Sequence, residues 1–390
     1  MKRKRIVVMG FMGSIPIAGV VWQHVHYIVG LQRLGHEVYY IEDSARLAYN
    51  PLTFETGSDY SFAASLLDRL ARRFDFVDRW AFCARFLPEH PTAGLSAAKS
   101  LEIIRSADAV LNVCGAQEMH EDIRDCANLI YVESDPGLEQ IRLDNGDTRP
   151  RDYLDRHRAL FTFGESIGSS DFPVPLHGLR WLPTRQPIVT DFWKTAAPPP
   201  SDAVFTTIAN WNTSGLKDIE WRGEKYLWSK SLEFLRFIDA PQAAGETVEM
   251  ATNIKDEATR GRFANSGWRL IDAYPMSNDL DAYVTYIQRS RGEYTVAKDQ
   301  YVRLHTGWFS DRTACYLAAG RPVITQQTGF TRYFGGADGL FAFASLEEIG
   351  EAARAIRADY AKHSRAAFAI AAEHFEATKV LASLLDRAGC

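Results

Sequence analysis

No stretch of this sequence approaches the ~18 consecutive apolar residues that a membrane-spanning helix requires. Cysteine is sparse: the five (Cys83, Cys114, Cys126, Cys315 and Cys390) are odd in number and scattered. No two stand at CxxC spacing, which argues against both a zinc site and a disulfide framework, and a cytoplasmic protein is expected. A basic excess is missing too. With a net charge of -5, the chain lacks the strongly basic character of nucleic-acid-binding domains, so no nucleic acid is expected among its partners. The one compact basic run, Met1-Lys2-Arg3-Lys4-Arg5, leads into Ile6 to Met9 and then turns at Gly10. That apolar run is too short for a leader peptide and reads as a strand with a solvated flank. Nor does a full GxGxxG follow this strand, since the glycines stand at Gly10, Gly13 and Gly19, which weakens a dinucleotide-dependent oxidoreductase.

What is present is an ordinary globular composition, 46% hydrophobic and 24% charged, in 390 residues. One core rarely organises that many residues, so two domains are expected. The first 43 residues read strand, glycine loop, helix, strand: Arg5 to Met9, Gly10 to Ser14, Gly19 to Leu34, and Glu37 to Ile41. This βαβ unit opens a parallel α/β sheet. Ala109 to Val113, Leu129 to Val132 and Leu160 to Phe163 follow as short buried strands. Polar residues at their C-terminal ends, Asp135 among them, fall on the sheet edge where ligands bind in such folds. Pro183, Pro187 and Pro198-Pro199-Pro200 mark a stiff connection between Leu182 and Ser201. Alternation then resumes, with strands at Val204 to Ile208, Thr247 to Ala251, Glu293 to Val296 and Pro322 to Thr325. Helices are expected over Lys225 to Phe237, Asp279 to Arg289, Asp311 to Ala319, Leu346 to Tyr360 and Arg365 to Leu385.

The segment from Ser290 to Phe330 carries the most chemistry. Ser310 stands at a helix N-cap with Asp311 and Arg312 in the first turn, where free backbone N–H groups favour phosphate. Ala318-Ala319-Gly320-Arg321-Pro322 ends that helix and launches a strand. Gln326, Gln327, Thr328 and Gly329 close it, and neutral amides suit sugar hydroxyls because they donate and accept at once. Helix, Ala-Ala-Gly-Arg-Pro-Val-Ile and polar glycine loop resemble the donor-binding element of GT-B glycosyltransferases. The opening βαβ, ending Leu34-Gly35-His36-Glu37-Val38, is similar to the amino-terminal start of that superfamily. Gly307 and Cys315 stand where many retaining members carry paired glutamates eight positions apart, so the chain resembles a variant branch, with inversion or retention left open.

The resemblance implies two Rossmann-like α/β domains facing a cleft. An acceptor-binding domain is expected over residues 1–190 and a nucleotide-sugar-binding domain over 201–364. A last helix, 365–390, is expected to cross back onto the first. It implies a hexosyltransferase-type enzyme with a nucleoside-diphosphate sugar as co-substrate, a small-molecule or glycan acceptor, and no other cofactor. Stabilising the departing diphosphate takes a metal or cations. No Asp-x-Asp pair follows a strand, since Asp279-Leu280-Asp281 opens a helix, so cations are expected and metal ligands are not. Arg312 and Lys298 are the candidates, with Arg222 and Lys225 after the strand and Asn210-Trp211-Asn212; each is otherwise a solvated surface charge. For the base that deprotonates the acceptor, His24 has a suitable pKa, though a histidine on a packed helix face is more often structural. Asp135 and Asp43 are its rivals, and His26 points elsewhere on the helix. Gly10 and Gly13 form a candidate acceptor or phosphate loop. Of the aromatics, Trp181, Trp193, Trp211, Trp221 and Trp228 lie around the connection and are expected near the cleft. A sugar-nucleotide epimerase and a non-catalytic nucleotide-sugar-binding scaffold remain as alternatives, since fold does not fix chemistry.

Overall fold

The computed structural model describes every residue except Met1, Ala196, Asn212, Ser214 and Ala337. The first half contributes β1 (Arg5–Met9), β2 (Glu37–Glu42), a small hairpin of β3 (Ala48–Asn50) and β4 (Glu55–Gly57), β5 (Trp80–Cys83), β6 (Thr92–Gly94), β7 (Ala109–Val113), β8 (Leu129–Glu133), β9 (Ala159–Thr162) and β10 (Trp181–Pro183). Apart from the hairpin, these form one eight-stranded sheet in the order β10-β9-β8-β7-β1-β2-β5-β6. Ile6 lies opposite Val38 on one side and Ala109 on the other, and only the edge pair β5–β6 is antiparallel. β7 and β8 are buried along their whole length and β1 from Ile6 onward, as parallel strands covered by helices on both faces must be.

The second half contributes β11 (Phe205–Ala209), a hairpin of β12 (Ile219–Trp221) and β13 (Glu224–Tyr226), β14 (Val248–Thr252), β15 (Trp268–Asp272), β16 (Gly292–Thr295), β17 (Val323–Gln326) and β18 (Leu340–Phe343). Its six-stranded parallel sheet runs β15-β14-β11-β16-β17-β18. In each sheet the chain reverses its direction of travel once, between β1 and β7 and between β11 and β16. Such switch points open a crevice at the C-terminal strand ends, which is where α/β sheets take ligands.

Two expected helices come out differently. Lys225 opens no helix: Trp221-Arg222-Gly223-Glu224 is a hairpin turn with φ of 51° at Arg222 and 79° at Gly223, and only Ser231–Arg236 is helical. Two consecutive positive φ values match the right-handed twist of a two-residue hairpin, and glycine supplies the second cheaply. The C-terminal helix is broken into Tyr360–His374 and Ala377–Arg387. At the break the Ile188 amide donates to the Phe375 carbonyl at 2.7 Å and the Ala377 amide to the Ile188 carbonyl at 2.8 Å. The connecting segment therefore pins the end of the chain, and the Ala377–Arg387 helix crosses back to pack on the first-half helix Ala18–Arg33. The connection is itself anchored by Trp193, fully buried with its ring 5.2 Å from Trp22 and its Nε1 3.1 Å from His26 Nε2. Burial pushes the His26 pKa down to about 3, so that ring is a neutral structural post. Asn212 lies outside the described residues. No helix among the described residues is long and apolar enough to cross a membrane.

The crossing helix needs Gly30. A Cβ there would sit 2.6 Å from Leu381 Cδ1 and 2.8 Å from Ala377 Cβ, both on the helix that crosses over. Gly30→Ala is therefore expected to destabilise the fold by about 1–3 kcal/mol despite alanine's better helix propensity. Urea unfolding measures this, and a stabilised variant would show that the two helices are not in register as described.

Candidate functional site

The two switch points face one another, and the side chains between them divide into those already committed to the protein and those still free. At the second-half crevice Glu293, on β16, has no solvent exposure. Arg312 answers it: Nε donates to Glu293 at 2.7 Å, one terminal nitrogen donates to the Ile208 carbonyl, and the other donates to Thr295 Oγ1 at 2.8 Å. Arg312 thus ties the Asp311–Ala318 helix to both β11 and β16. Its hydrogen bonds face the sheet, so it acts as a clamp and not as a free phosphate ligand.

The free cation is a residue the sequence reading passed over. Lys230, just before the Ser231–Arg236 helix, has no carboxylate partner among the described residues, and its ammonium lies 5.7 Å above the Trp308 ring. Burial, with the nearby Arg312 charge, pushes its pKa well below the ordinary lysine value. The Glu293 carboxylate pulls the other way, but it is already bound by Arg312, so the half-buried Lys230 ammonium is left open to an anion. The signal lay in Ser229-Lys230-Ser231 opening the first helix after β11. It was masked by the expectation that the helix began at Lys225. Arg222 and Lys225 are instead exposed on the hairpin, Arg222 over the Trp221 ring at 4.3 Å and Lys225 3.6 Å from Asp218.

Lys298, expected to meet a diphosphate, is placed against Trp228 and a carboxylate of the first half. Its Nζ lies 3.4 Å over the Trp228 ring and 2.8 Å from Asp135, which reaches across from the end of β8. Burial brings the Lys298 pKa down to about 8 against the opposing pull of Asp135. Lys217 joins the same carboxylate at 3.1 Å, and the Tyr301 hydroxyl donates to it. Burial works to raise the Asp135 pKa, but the two lysines outweigh it and hold the carboxyl well below the usual range. Of the tryptophans expected near the cleft, Trp228 faces this cluster. Trp193 and Trp181 are core residues, Trp221 stacks in the hairpin, and Trp211 packs edge-on to Phe263.

The polar loop expected to meet a sugar is turned inward. Gln326 accepts from the Ala297 amide at 3.0 Å and donates to buried Glu233 at 2.5 Å. Gln327 bonds Thr331 and the Gly329 amide, and Thr328 donates to the Trp308 carbonyl at 2.5 Å. These groups hold the loop's shape. Ser310 takes the N-cap position without a side-chain cap bond. Asp311 lies 3.4 Å from Gln23 of the facing domain, and burial raises its pKa to about 7.

On the first-half side the glycine loop is already occupied, by the protein itself. Glu42, buried at the end of β2, accepts from the Gly13 amide at 2.7 Å, the Ser14 amide at 2.7 Å and the Tyr40 hydroxyl at 2.8 Å. An internal carboxylate fills the nest a phosphate would take, so Gly10 and Gly13 do not form a free phosphate loop. Gly10 has a different duty: a Cβ there would meet the His24 ring at 2.1 Å. His24 is fully buried, its Nδ1 2.8 Å from the Val20 carbonyl and its Nε2 without a partner, and burial lowers its pKa to about 4. It is a core histidine and does not reach the cleft. Asp43 is likewise engaged, with Arg85 at 2.5 Å and His120 at 2.9 Å. Beside the clamp, a cavity of about 700 Å³ opens between the β3–β4 hairpin and the ends of β11, β14 and β15. Ile17, Tyr49, Phe54, Tyr274, Asn210 and Asn253 are among its lining residues.

No family model matches the sequence, and no curated protein matches it. Solved structures do match. One is an alpha-glucosyltransferase in complex with UDP and a 13-mer DNA containing a HMU base, with a TM-score of 0.59 at 11% identity over all of both chains. AviGT4, a glycosyltransferase involved in avilamycin A biosynthesis, superposes with a TM-score of 0.53 at 10% identity over 99% of this chain and 97% of its own. Anabaena Alr3699/HepE in complex with UDP and glucose gives 0.53 at 11% identity over 99% of each. The chain has the GT-B architecture of these proteins: two Rossmann-like domains facing a cleft, with a C-terminal helix that crosses back. The expectation of no nucleic-acid partner does not stand, because a protein of this same full-length architecture is held on DNA. A net charge of -5 does not decide the matter, because a total says nothing of how charge is distributed over the surface.

Two outcomes follow from the pairing. Arg312→Ala leaves Glu293 buried and unpaired, and is expected to cost about 3–5 kcal/mol of stability in denaturant unfolding. This replaces the expectation of a purely ligand-binding role. For Asp311, the folded pKa of about 7 lies above the unfolded value of ~3.9, so its share of stability is complete below the unfolded value and is lost as pH rises to the folded one. Asp311→Asn should thus gain stability over the wild type progressively between about pH 4 and pH 7 and level off above that. A pH-independent difference would place that carboxyl in water.

Proposed function

We propose that the protein is a glycosyltransferase that moves a sugar from a nucleoside-diphosphate sugar to an acceptor hydroxyl without a metal. The observation that carries this reading is the gathering of Lys230, half-buried and held in no ion pair among the described residues, with Lys298 and Arg312 at the switch point of the second sheet. That crevice supplies positive charge where a diphosphate leaving group gathers negative charge. The acceptor oxygen forms a bond to the anomeric carbon as the bond from that carbon to the phosphate oxygen breaks. The electron pair leaves with the diphosphate, and Lys230 and Lys298 stabilise it in a site screened from water. Stabilisation of this kind is stronger in the transition state than in the ground state, which is what acceleration requires.

The division of labour follows from placement. Residues 201–364 would hold the nucleotide sugar and residues 1–190 the acceptor, with the helix beyond 365 bracing the pair. The cavity of about 700 Å³ between the β3–β4 hairpin and β11 is lined mostly by second-half residues, with Ile17, Tyr49 and Phe54 from the first half, and is of a size for a small ligand held between the two. Two of the solved structures of the same architecture, the alpha-glucosyltransferase and Alr3699/HepE, are in complex with UDP, which supports a nucleoside diphosphate as the first ligand to try.

Thermal unfolding against UDP, GDP, dTDP, ADP and NAD tests the reading. A ligand specific to the folded state adds about 2.7 kcal/mol at a hundred times its Kd, and one nucleoside diphosphate is expected to raise Tm accordingly. Lys230→Ala should weaken that ligand at least about tenfold, whereas Lys225→Ala on the exposed hairpin should leave it unchanged. A shift with NAD alone would overturn the proposal.

A further inference from the structure

The lysines that would hold the diphosphate are not waiting empty. Asp135 comes from the first domain, at the C-terminal end of β8, and its two oxygens are shared between second-domain cations. Oδ1 takes Lys298 at 2.8 Å together with the Tyr301 hydroxyl, and Oδ2 takes Lys217 at 3.1 Å. The strand end carrying it is held in place, since Trp308 Nε1 donates to the Ser134 carbonyl at 3.0 Å. Both ammonium groups lie against the Trp228 ring, at 3.4 and 4.7 Å from its centroid, and share the Asp135 carboxylate, so they form one cationic cluster. Trp308 links this cluster to the unpaired Lys230, being 4.5 Å from the Tyr301 ring on one hand and 5.7 Å from the Lys230 ammonium on the other.

We propose that Asp135 is an internal counter-anion on the lysines that the donor's diphosphate also requires, and that the diphosphate, by taking Lys217 and Lys298, releases this carboxylate to act as the acceptor's base. The inference rests on the glycosyltransferase reading and deepens it. Charge decides the exchange. Two lysines share the single Asp135 carboxylate, so the trio keeps a net positive charge that one carboxylate leaves over and a diphosphate can satisfy. A carboxylate held by two ammonium groups and a phenol is a poor proton acceptor; freed of the lysines, its basicity rises. The acceptor hydroxyl then gives its proton to Asp135 as its oxygen bonds the anomeric carbon, while the carbon–phosphate-oxygen pair departs with the diphosphate. The base therefore exists only once the donor is bound, and acceptor activation without donor is suppressed. The rival bases do not compete: His24 is sealed in the core, and Asp43 is tied to Arg85 and His120.

Calorimetric titration with inorganic pyrophosphate tests the exchange, comparing wild type with Asp135→Asn and Asp135→Ser, each first checked for a cooperative melt. Removing the competing carboxylate is expected to tighten pyrophosphate about tenfold in both variants. Turnover of the nucleotide sugar whose nucleoside diphosphate stabilises the wild type should fall at least about a hundredfold. Tighter binding with lost turnover is the expected pair of results. Unchanged or weaker pyrophosphate binding, or retained turnover, overturns the role of Asp135 and leaves the donor site standing if the wild type binds. Failure of pyrophosphate and of every nucleoside diphosphate to bind wild type and variants alike sinks the donor-site reading and this inference with it.

Discussion

A carboxylate with no solvent exposure must find a cation, and Glu293 finds Arg312. That buried pair sets the geometry of the second-half crevice. The guanidinium spans the point where β11 and β16 diverge, holding the Ile208 carbonyl, Glu293 and Thr295 at once. It thereby draws the start of the Asp311–Ala318 helix onto the sheet edge. Planar, multiply donating arginine suits this task in a way that lysine does not. With the arginine occupied as a clamp, the lysines around it are left as the ligand-facing charge. The partition between structural and available cations follows from that one pairing.

The same logic recurs with the sign reversed. In the first domain Glu42 occupies the amide nest of the Gly10–Ser14 loop, and Asp135 occupies the lysine cluster across the cleft. Buried polar groups are satisfied almost without exception, so anion-shaped sites inside a protein are filled by its own carboxylates where these are near. The two differ in access. Glu42 is sealed behind Phe82 and Tyr40 and belongs to the fold, whereas Asp135 is partly exposed and sits between domains. A fixed carboxylate completes a loop, and an accessible one sets up an exchange with a ligand.

The domains are joined more firmly than a single linker would allow. The break at Phe375 and Glu376 locks the chain's last helix to the connecting segment, and Trp193 buries the segment against Trp22 and His26. One continuous apolar core includes Trp22, Phe309, Phe375 and Leu381 from both halves. Facing strand ends are therefore held at a defined separation. A transfer site that draws the acceptor side from one domain and the donor side from the other depends on that separation.

The amino-acid sequence by itself determined the architecture. β1, β7, β8 and β11 are short β-branched runs that can be stable only as buried parallel strands, and the Ala18–Arg33 helix ends where Gly35 must end it. Lys298 and Asp135 were also legible, because polar residues just past a buried strand fall on the ligand edge. What only the tertiary structure decided was which charges are free. Arg312, Gln326 and Gln327 look like ligands in sequence and are spent on Glu293, Glu233 and Thr331, while Lys230 looks like helix-start solvent and is half-buried over Trp308 beside Arg312 and Lys298. The physical reason is that hydrogen-bond and ion pairing is a long-range property. The side-chain partners of Arg312 and Gln326 lie 17 to 93 residues away in the chain and the Asp135 partner of Lys298 lies 163 away, and no local pattern records them.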